Sequence, residues 1–222
     1  MTGVPALPST TVVLGSASPT RLRVLRMAGL RPTVVVSDVD EDALLDELAG
    51  APSDEIVTRL AEAKADAVVA AVVADGRAVD TVVLTCDSML LINGELAGKP
   101  HTPDVAVERW KAMRGSTGHL LTGHCVRKIV EGETVASTSR CESTAIHFSD
   151  APDEVIERYA ATGEPLEVAG AFTLDGYGGW LIDGIDGDPS SVLGISLPLV
   201  RKLLAEININ VTDLWIAPTP SS

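Results

Sequence analysis

The sequence predicts an α/β fold built on a mixed sheet. Two observations carry that expectation. Short β-branched apolar runs alternate with capped helical segments along most of the chain. One stretch, His119 to Phe148, instead alternates polar and apolar residues on both sides of a Gly-containing turn, the signature of a β-hairpin. The length of 222 residues suits one large domain or two small lobes around a shared sheet, and a hydrophobic fraction of 45% supplies a core.

The elements follow in chain order. "TTVVLGS" at 10–16 reads as a buried strand ending in a polar elbow. In "SPTRLRVLRMAGL", Ser18 is an N-cap and Pro19 fits the first helical turn. Leu22, Leu25 and Met27 to Ala28 carry the helical spacing, and Gly29 ends it. "PTVVVSDVDED" is a strand running into an acidic turn. A long helix is expected over 52–76, capped by Ser53, with Ile56, Leu60, Ala63, Ala67 and Ala70 to Ala71 on one face. "DTVVLTCDSMLLING" at 80–94 is a strand pair or one long bent strand turning at Asn93-Gly94. "PDVAVERWKAMRG" is a capped helix stopped by Gly115, and the hairpin follows. "SDAPDEVIERYAATG" is another capped helix, "AGAFTLDGYGGWLIDGIDGDPSSVLGIS" is Gly-rich strand and loop, and "LPLVRKLLAEI" closes the chain as a helix. Residues 1–10 and 217–222, rich in Pro, Ser and Thr, read as loose tails. With no internal repeat and no linker, residues 1–222 are expected to form a single domain.

The formal net charge of −14 argues against a nucleic-acid polymer as partner. A small phosphate ligand is compatible with it, provided local cations overcome the global field. Cys86, Cys125 and Cys141 form an odd set with no CxxC spacing, as expected for reduced thiols in a cytosolic protein. No leader is evident, and no apolar run approaches the roughly 20 residues needed to span a bilayer. The expectation is a soluble, cytoplasmic chain without a membrane partner. His119 and His124, five apart on a strand, face opposite ways, which argues against a zinc site.

The phosphate-loop, dinucleotide, zinc-protease and nucleophile-elbow fingerprints are all missing from the sequence. Scattered polar groups at the ends of elements remain. "GSASPTR" offers a helix start with Ser16, Ser18 and Arg21, which suits a phosphate cradle as well as an ordinary cap. "DVDED" at 38–42 suits Mg²⁺ held through carboxylates, or a solvated turn. Lys64, among small apolar helix residues, reaches a ligand or snorkels. Lys99 stands in "GKP", a loop of restricted shape. Asp87 stands in "TVVLTCDSML", where burial of a carboxylate is costly without a partner. Taken together, Arg21, Lys64 and Lys99 with two acidic clusters suit a nucleoside triphosphate and Mg²⁺.

From about residue 12 to residue 204 the chain resembles the Maf-like proteins, also called septum-formation inhibitors, which are nucleoside triphosphate pyrophosphatases. "LGSASPTRLRVLRMAG", "VDEDAL", "LAEAKADAV", "TCDSMLLINGELAGKP" and "TGEPLEVAGAFTLDGYGGWLIDGIDGDPSSVLGISLPL" are similar to five family motifs in family order. The resemblance implies an elongated mixed sheet flanked by helices with a deep nucleotide cleft, similar to inosine-triphosphate pyrophosphatases. It implies hydrolysis of a nucleoside triphosphate to the monophosphate and pyrophosphate, a divalent cation (Mg²⁺ or Mn²⁺), and often a homodimer. It makes Asp87 the proton acceptor, assigns substrate contacts to Ser16, Arg21, Lys64 and Lys99, and gives the metal to Glu41 and Asp87.

Three positions that track base preference in the family depart from both well-known subgroups. They are Thr20, Ser88 and Asp175 here. The subgroup acting on dTTP and UTP carries Arg, Thr and Gln, and the one acting on 7-methyl-GTP carries Trp, Gln and Glu. Ser88 leans to the first, Asp175 to the second, and Val168 replaces a common Lys. As a carboxylate, Asp175 accepts only, which favours guanine or cytosine. The alternatives are a 7-methyl-GTP or other modified-nucleotide pyrophosphatase, and a cell-division regulator with a nucleotide-binding site.

Overall fold

The computed structural model describes residues 10–216, so the expected tails, Thr10 apart, lie outside the described residues. Seven strands form one mixed sheet in the order β2-β1-β3-β5-β6-β7, with β4 paired to β3. The strands are β1 Thr11–Leu14, β2 Thr33–Val34, β3 Asp80–Ile92, β4 Glu95–Ala97, β5 Thr117–Val130, β6 Glu133–Phe148 and β7 Ile182–Asp186. β1 runs parallel to β2 and β3, whereas β3, β5, β6 and β7 are antiparallel in turn. The expected hairpin is β5–β6, turning at Glu131 and Gly132, both with positive φ. The long strand with a turn at Asn93-Gly94 is β3 with the short β4, and both turn residues again have positive φ.

Helices cover the sheet: α1 Pro19–Met27, α2 Glu41–Glu47, α3 Ser53–Ala74, α4 Pro103–Met113, α5 Asp153–Ala161, α6 Pro189–Val192 and α7 Leu197–Glu206. Four expectations change. The acidic turn is the start of α2, because the Asp40 side chain accepts from the Ala43 N–H and caps a helix there. Pro52, not Ser53, is the N-cap of α3, and no side chain caps it. The buried face of α3 is Val57, Leu60, Ala61, Lys64, Ala65, Val68 and Val72, one residue round from the alanine stripe. Val57, Val68 and Val72 pack into the core with Ala61 and Ala65, whereas Ala63, Ala67 and Ala71 are half-buried and Ala70 is exposed. Part of the Gly-rich segment is short 3-10 turns, at Ala169–Ala171 and Tyr177–Leu181, preceded by another at Glu164–Glu167.

Two larger hydrophobic clusters share the sheet. The first gathers Leu14, Leu25, Val82, Leu84, Cys86 and Val126 beneath α1 and α7. The second gathers Leu90, Trp110, Leu120, Ile146, Phe148 and Phe172 beneath α4 and α5. Along β3 the change-over falls between Cys86 and Leu90. Among the described residues, no helix is long and apolar enough to cross a membrane.

Candidate active site

The site begins as an interruption of strand pairing. β1 pairs with β3 only as far as Leu84, with a last bond from the Gly15 N–H to the Leu84 carbonyl. β4 takes up the same side of β3 at Leu90. Among the described residues no strand pairs with 85–89 on that side, so the sheet is notched there. Asp87 and Ser88 lie in the notch, at the seam between the two clusters.

Polar groups from both faces fill it. Arg21 extends from α1, whose start is fixed by the Ser18 hydroxyl accepting from the Arg21 N–H. Its guanidinium donates to the Gly194 carbonyl at 2.8 Å, the Ser16 hydroxyl at 3.1 Å, the Cys86 carbonyl at 2.9 Å and the Ser88 hydroxyl at 3.1 Å. Ser88 in turn meets the Thr122 hydroxyl of β5 at 3.0 Å. From the α3 side, Lys64 lies 2.5 Å from Asp87 Oδ1 and 2.9 Å from a Glu41 carboxylate oxygen. Lys64 and Asp87 are 8% and 7% exposed, so each buried charge is matched by the other. Glu41, at the first turn of α2, is half exposed.

Gly123 makes this approach possible. It sits opposite Asp87 on β5, and a Cβ there would lie 2.1 Å from the Val57 carbonyl oxygen of α3. Without a side chain at 123, α3 descends far enough for Lys64 to reach the notch. The neighbouring Cys86 thiol points into the first cluster, and burial pushes its pKa up to about 12, which leaves it inert.

The remaining sequence candidates lie around this centre. Lys99 is exposed on the loop after β4 and makes no ion pair among the described residues. The Gly98 carbonyl just before it accepts from Arg109 at 2.6 Å and from the Gly170 N–H, which pins the loop. Thr20 is partly buried in the first turn of α1. Asp175 is bound by Arg23, two residues beyond Arg21 on the same helix. The structure thus gathers Ser16, Arg21 and Ser88 in one contact network and Glu41, Lys64 and Asp87 in another, joined through the Asp87–Ser88 step of β3, while Thr20, Lys99 and Asp175 make no hydrogen bond or ion pair with either among the described residues. The Thr122 hydroxyl was missed because it meets Ser88 across 34 residues of chain, and the Cys86 and Gly194 carbonyls because backbone acceptors leave no mark in a sequence.

Two surface concavities, of about 630 Å³ around Trp215 and about 270 Å³ beside Trp180, do not include Asp87. The notch is the candidate site: there Asp87 Oδ2 has no protein hydrogen-bond partner among the described residues and is not sealed from water. A metal fits the donor set in one particular way. Among the described residues no group of three or more His, Cys, Asp or Glu side chains is placed to hold an ion. Glu41 and Asp87 converge on the same lysine, however. Two carboxylates completed by phosphates and water suit Mg²⁺ rather than a self-sufficient protein cage.

The family model described as Maf-like protein matches residues 11–207. A protein of Rhodococcus opacus (strain B4) named nucleoside triphosphate pyrophosphatase is 56% identical over 207 residues, covering 93% of this chain and 96% of its own length. A protein of the same name from Nocardia farcinica (strain IFM 10152) is 52% identical over 214 residues, covering 95% and 99%. Another, from Saccharopolyspora erythraea, is 56% identical over 207 residues, covering 93% and 97%. With the notched mixed sheet and its converging charges, these matches establish that the chain belongs to the Maf-like protein family.

Proposed function

We propose that this chain is a nucleoside triphosphate pyrophosphatase that uses a divalent cation, Mg²⁺ or Mn²⁺, and releases the monophosphate and pyrophosphate. The observation that supports it best is the notch itself, where a nearly buried Asp87, bound by Lys64, lies beside the Arg21–Ser16–Ser88 array. A triphosphate brings several charges into a chain of net −14, and the notch is where cations face inward. The similarly named relatives support the same activity.

Each group then has a role. Arg21 and Ser16 receive phosphate oxygens, and Lys99 reaches them from the facing loop. Lys64 orients Asp87 Oδ1 and leaves Oδ2 for a water. Asp87 takes the proton of that water as its oxygen bonds to the α-phosphorus. The bond to the bridging oxygen breaks, and pyrophosphate departs with the electron pair. Arg21 and Lys99 stabilise the charge that builds on it. A cation held by Glu41 and Asp87 would polarise the phosphate oxygens. Thr20, Ser88 and Asp175 set base preference.

Pyrophosphate release across dTTP, UTP, CTP, GTP and 7-methyl-GTP with Mg²⁺ or Mn²⁺ tests this. Wild type is expected to turn over, and Asp87→Asn to bind nucleotide with turnover lowered by about a thousandfold. Equal turnover by both proteins removes Asp87 from the mechanism. No turnover by wild type removes the activity.

A further inference from the structure

Arg109 sits where its charge gains little. It is half-buried on α4 and makes no ion pair among the described residues, although the chain has 31 Asp and Glu against 17 Lys and Arg. Burial without a carboxylate pulls its pKa below the ordinary guanidinium range. Its Nη1 donates instead to a backbone carbonyl, that of Gly98, at 2.6 Å.

That carbonyl precedes Lys99 at the point where the chain runs along the notch. β4 pairs antiparallel with β3 as far as Ala97 and Leu90, so the residues after β4 head back toward Ser88. A Cβ on Gly98 would lie 3.8 Å from Met89 Cε, which keeps the chain beside β3 there. One residue further, Lys99 comes to the level of Ser88 on the open side of the notch. Lys99 is exposed, but both its neighbours are held. The Gly98 carbonyl accepts from Arg109 and, at 3.2 Å, from the Gly170 N–H. Pro100 is buried, and the His101 N–H donates to the Leu166 carbonyl at 3.0 Å. Pro100 also confines Lys99 to extended backbone. The platform behind the clasp is rigid. Trp110, next to Arg109, is fully buried, packs edge-on against Phe148 and Tyr159, and donates to the Ala171 carbonyl at 2.6 Å. Consecutive residues of α4 thus grip the loop at Gly98 and the turn at Ala169–Ala171, and the Gly170 N–H joins the two.

We propose that Arg109 is a positioning residue that clasps the Gly98 carbonyl and so aims Lys99 at phosphates bound in the notch. This rests on the nucleoside-triphosphate reading of the notch. Lysine is a long side chain whose lost freedom opposes binding. With its backbone anchored on both sides, only the side chain remains to be ordered by the anion. A charged donor holds the carbonyl more strongly than a neutral one, which accounts for an arginine at this place.

The test is affinity for inorganic pyrophosphate at saturating Mg²⁺, by calorimetry, in a double-variant cycle between positions 99 and 109. It needs neither a particular base nor turnover. Lys99→Met is expected to weaken binding about tenfold and Arg109→Met about fivefold, whereas Arg109→Met added to Lys99→Met should change it by less than about twofold. Arg109→Lys, which keeps the charge and one donor, should lose about twofold with Lys99 present and nothing without it, so the cycle stands even if the methionine variant fails to fold. Amide exchange at Lys99, His101 and Gly170 should quicken in Arg109→Met. Equal losses with and without Lys99, or no loss at all, overturn the clasp. So does a Lys99→Met protein that binds as wild type does, or a wild type that binds no pyrophosphate. Pyrophosphate release from nucleoside triphosphates judges the activity separately. A coupled cycle in a protein without turnover upholds the clasp and sinks the pyrophosphatase reading, and turnover with an uncoupled cycle does the reverse.

Discussion

Lys64 and Asp87 are each tolerable in the interior because of the other. Removing one partner of a buried pair leaves an uncompensated charge, which costs far more than the pair itself contributes. Lys64→Met is therefore expected to lower unfolding free energy by roughly 3 kcal/mol, and Lys64→Met with Asp87→Asn to recover most of it. Denaturant titration of the single and double variants checks this, and an additive double variant would show that the two side chains are not coupled. His124 makes a second residue-scale prediction. It is fully buried, donates from Nδ1 to the Thr122 carbonyl at 2.9 Å and accepts at Nε2 from the Ser196 N–H at 2.8 Å. Burial pulls its pKa from 6.5 to about 4, with Arg21 pulling the same way against the Thr122 carbonyl and Asp188. Between those values the unfolded chain binds a proton that the folded one refuses. Stability from this group is complete above pH 6.5 and falls by roughly 3 kcal/mol as pH drops to 4. His124→Gln, which keeps one donor and one acceptor, should flatten that part of a thermal-unfolding profile. A wild-type profile already flat from pH 6.5 to 4 would contradict it.

Elements decide how these residues meet, and β3 with α3 decides most. Gly123 lets α3 lie on the sheet at the level of Asp87. The obstacle a Cβ would meet is the Val57 backbone rather than a flexible side chain, so no rotamer change relieves it. Gly123→Ala should cost about 3 kcal/mol or more in denaturant unfolding and weaken nucleotide binding by displacing Lys64. Unchanged stability would mean that α3 is not held by this contact. Much at this scale was legible in the sequence. The hairpin, the Asn93-Gly94 turn and the Ser18-capped α1 follow from local chemistry, where turn glycines and caps act within a few residues. The buried face of α3 was misread by one residue because alanines fit either side of a helix, and only packing against β3 and β5 chooses. α2 was missed because its acidic start also suits a turn, and none of its residues is buried to give a periodic signal. The site's charged residues were visible as anomalies in apolar settings. Their partners were not, since Arg21 reaches Cys86 and Gly194 across 65 and 173 residues of chain.

At the scale of the whole molecule, charge sets how a substrate arrives. The chain carries −14, yet its notch holds Arg21 and Lys64 in contact with their partners, with Lys99 exposed nearby in sequence to β4. These influences differ in range. Repulsion from dispersed surface carboxylates acts over long distances through water, where ions screen it. The notch contacts act at a few ångströms and are partly buried, so ions screen them less. Raising ionic strength from about 0.01 to 0.1 M shortens the screening length from about 30 to about 10 Å. The distant carboxylates then drop out while the notch cations persist. With Mg²⁺ held saturating, kcat/KM for a nucleoside triphosphate should rise about two- to threefold over that range, opposite to the fall expected of a cation-lined funnel that steers its ligand from afar. A steady fall with salt would place Lys99 and its neighbours in command of the approach path as well as of binding. A rise that Lys99→Met leaves intact would assign Lys99 to the bound state alone.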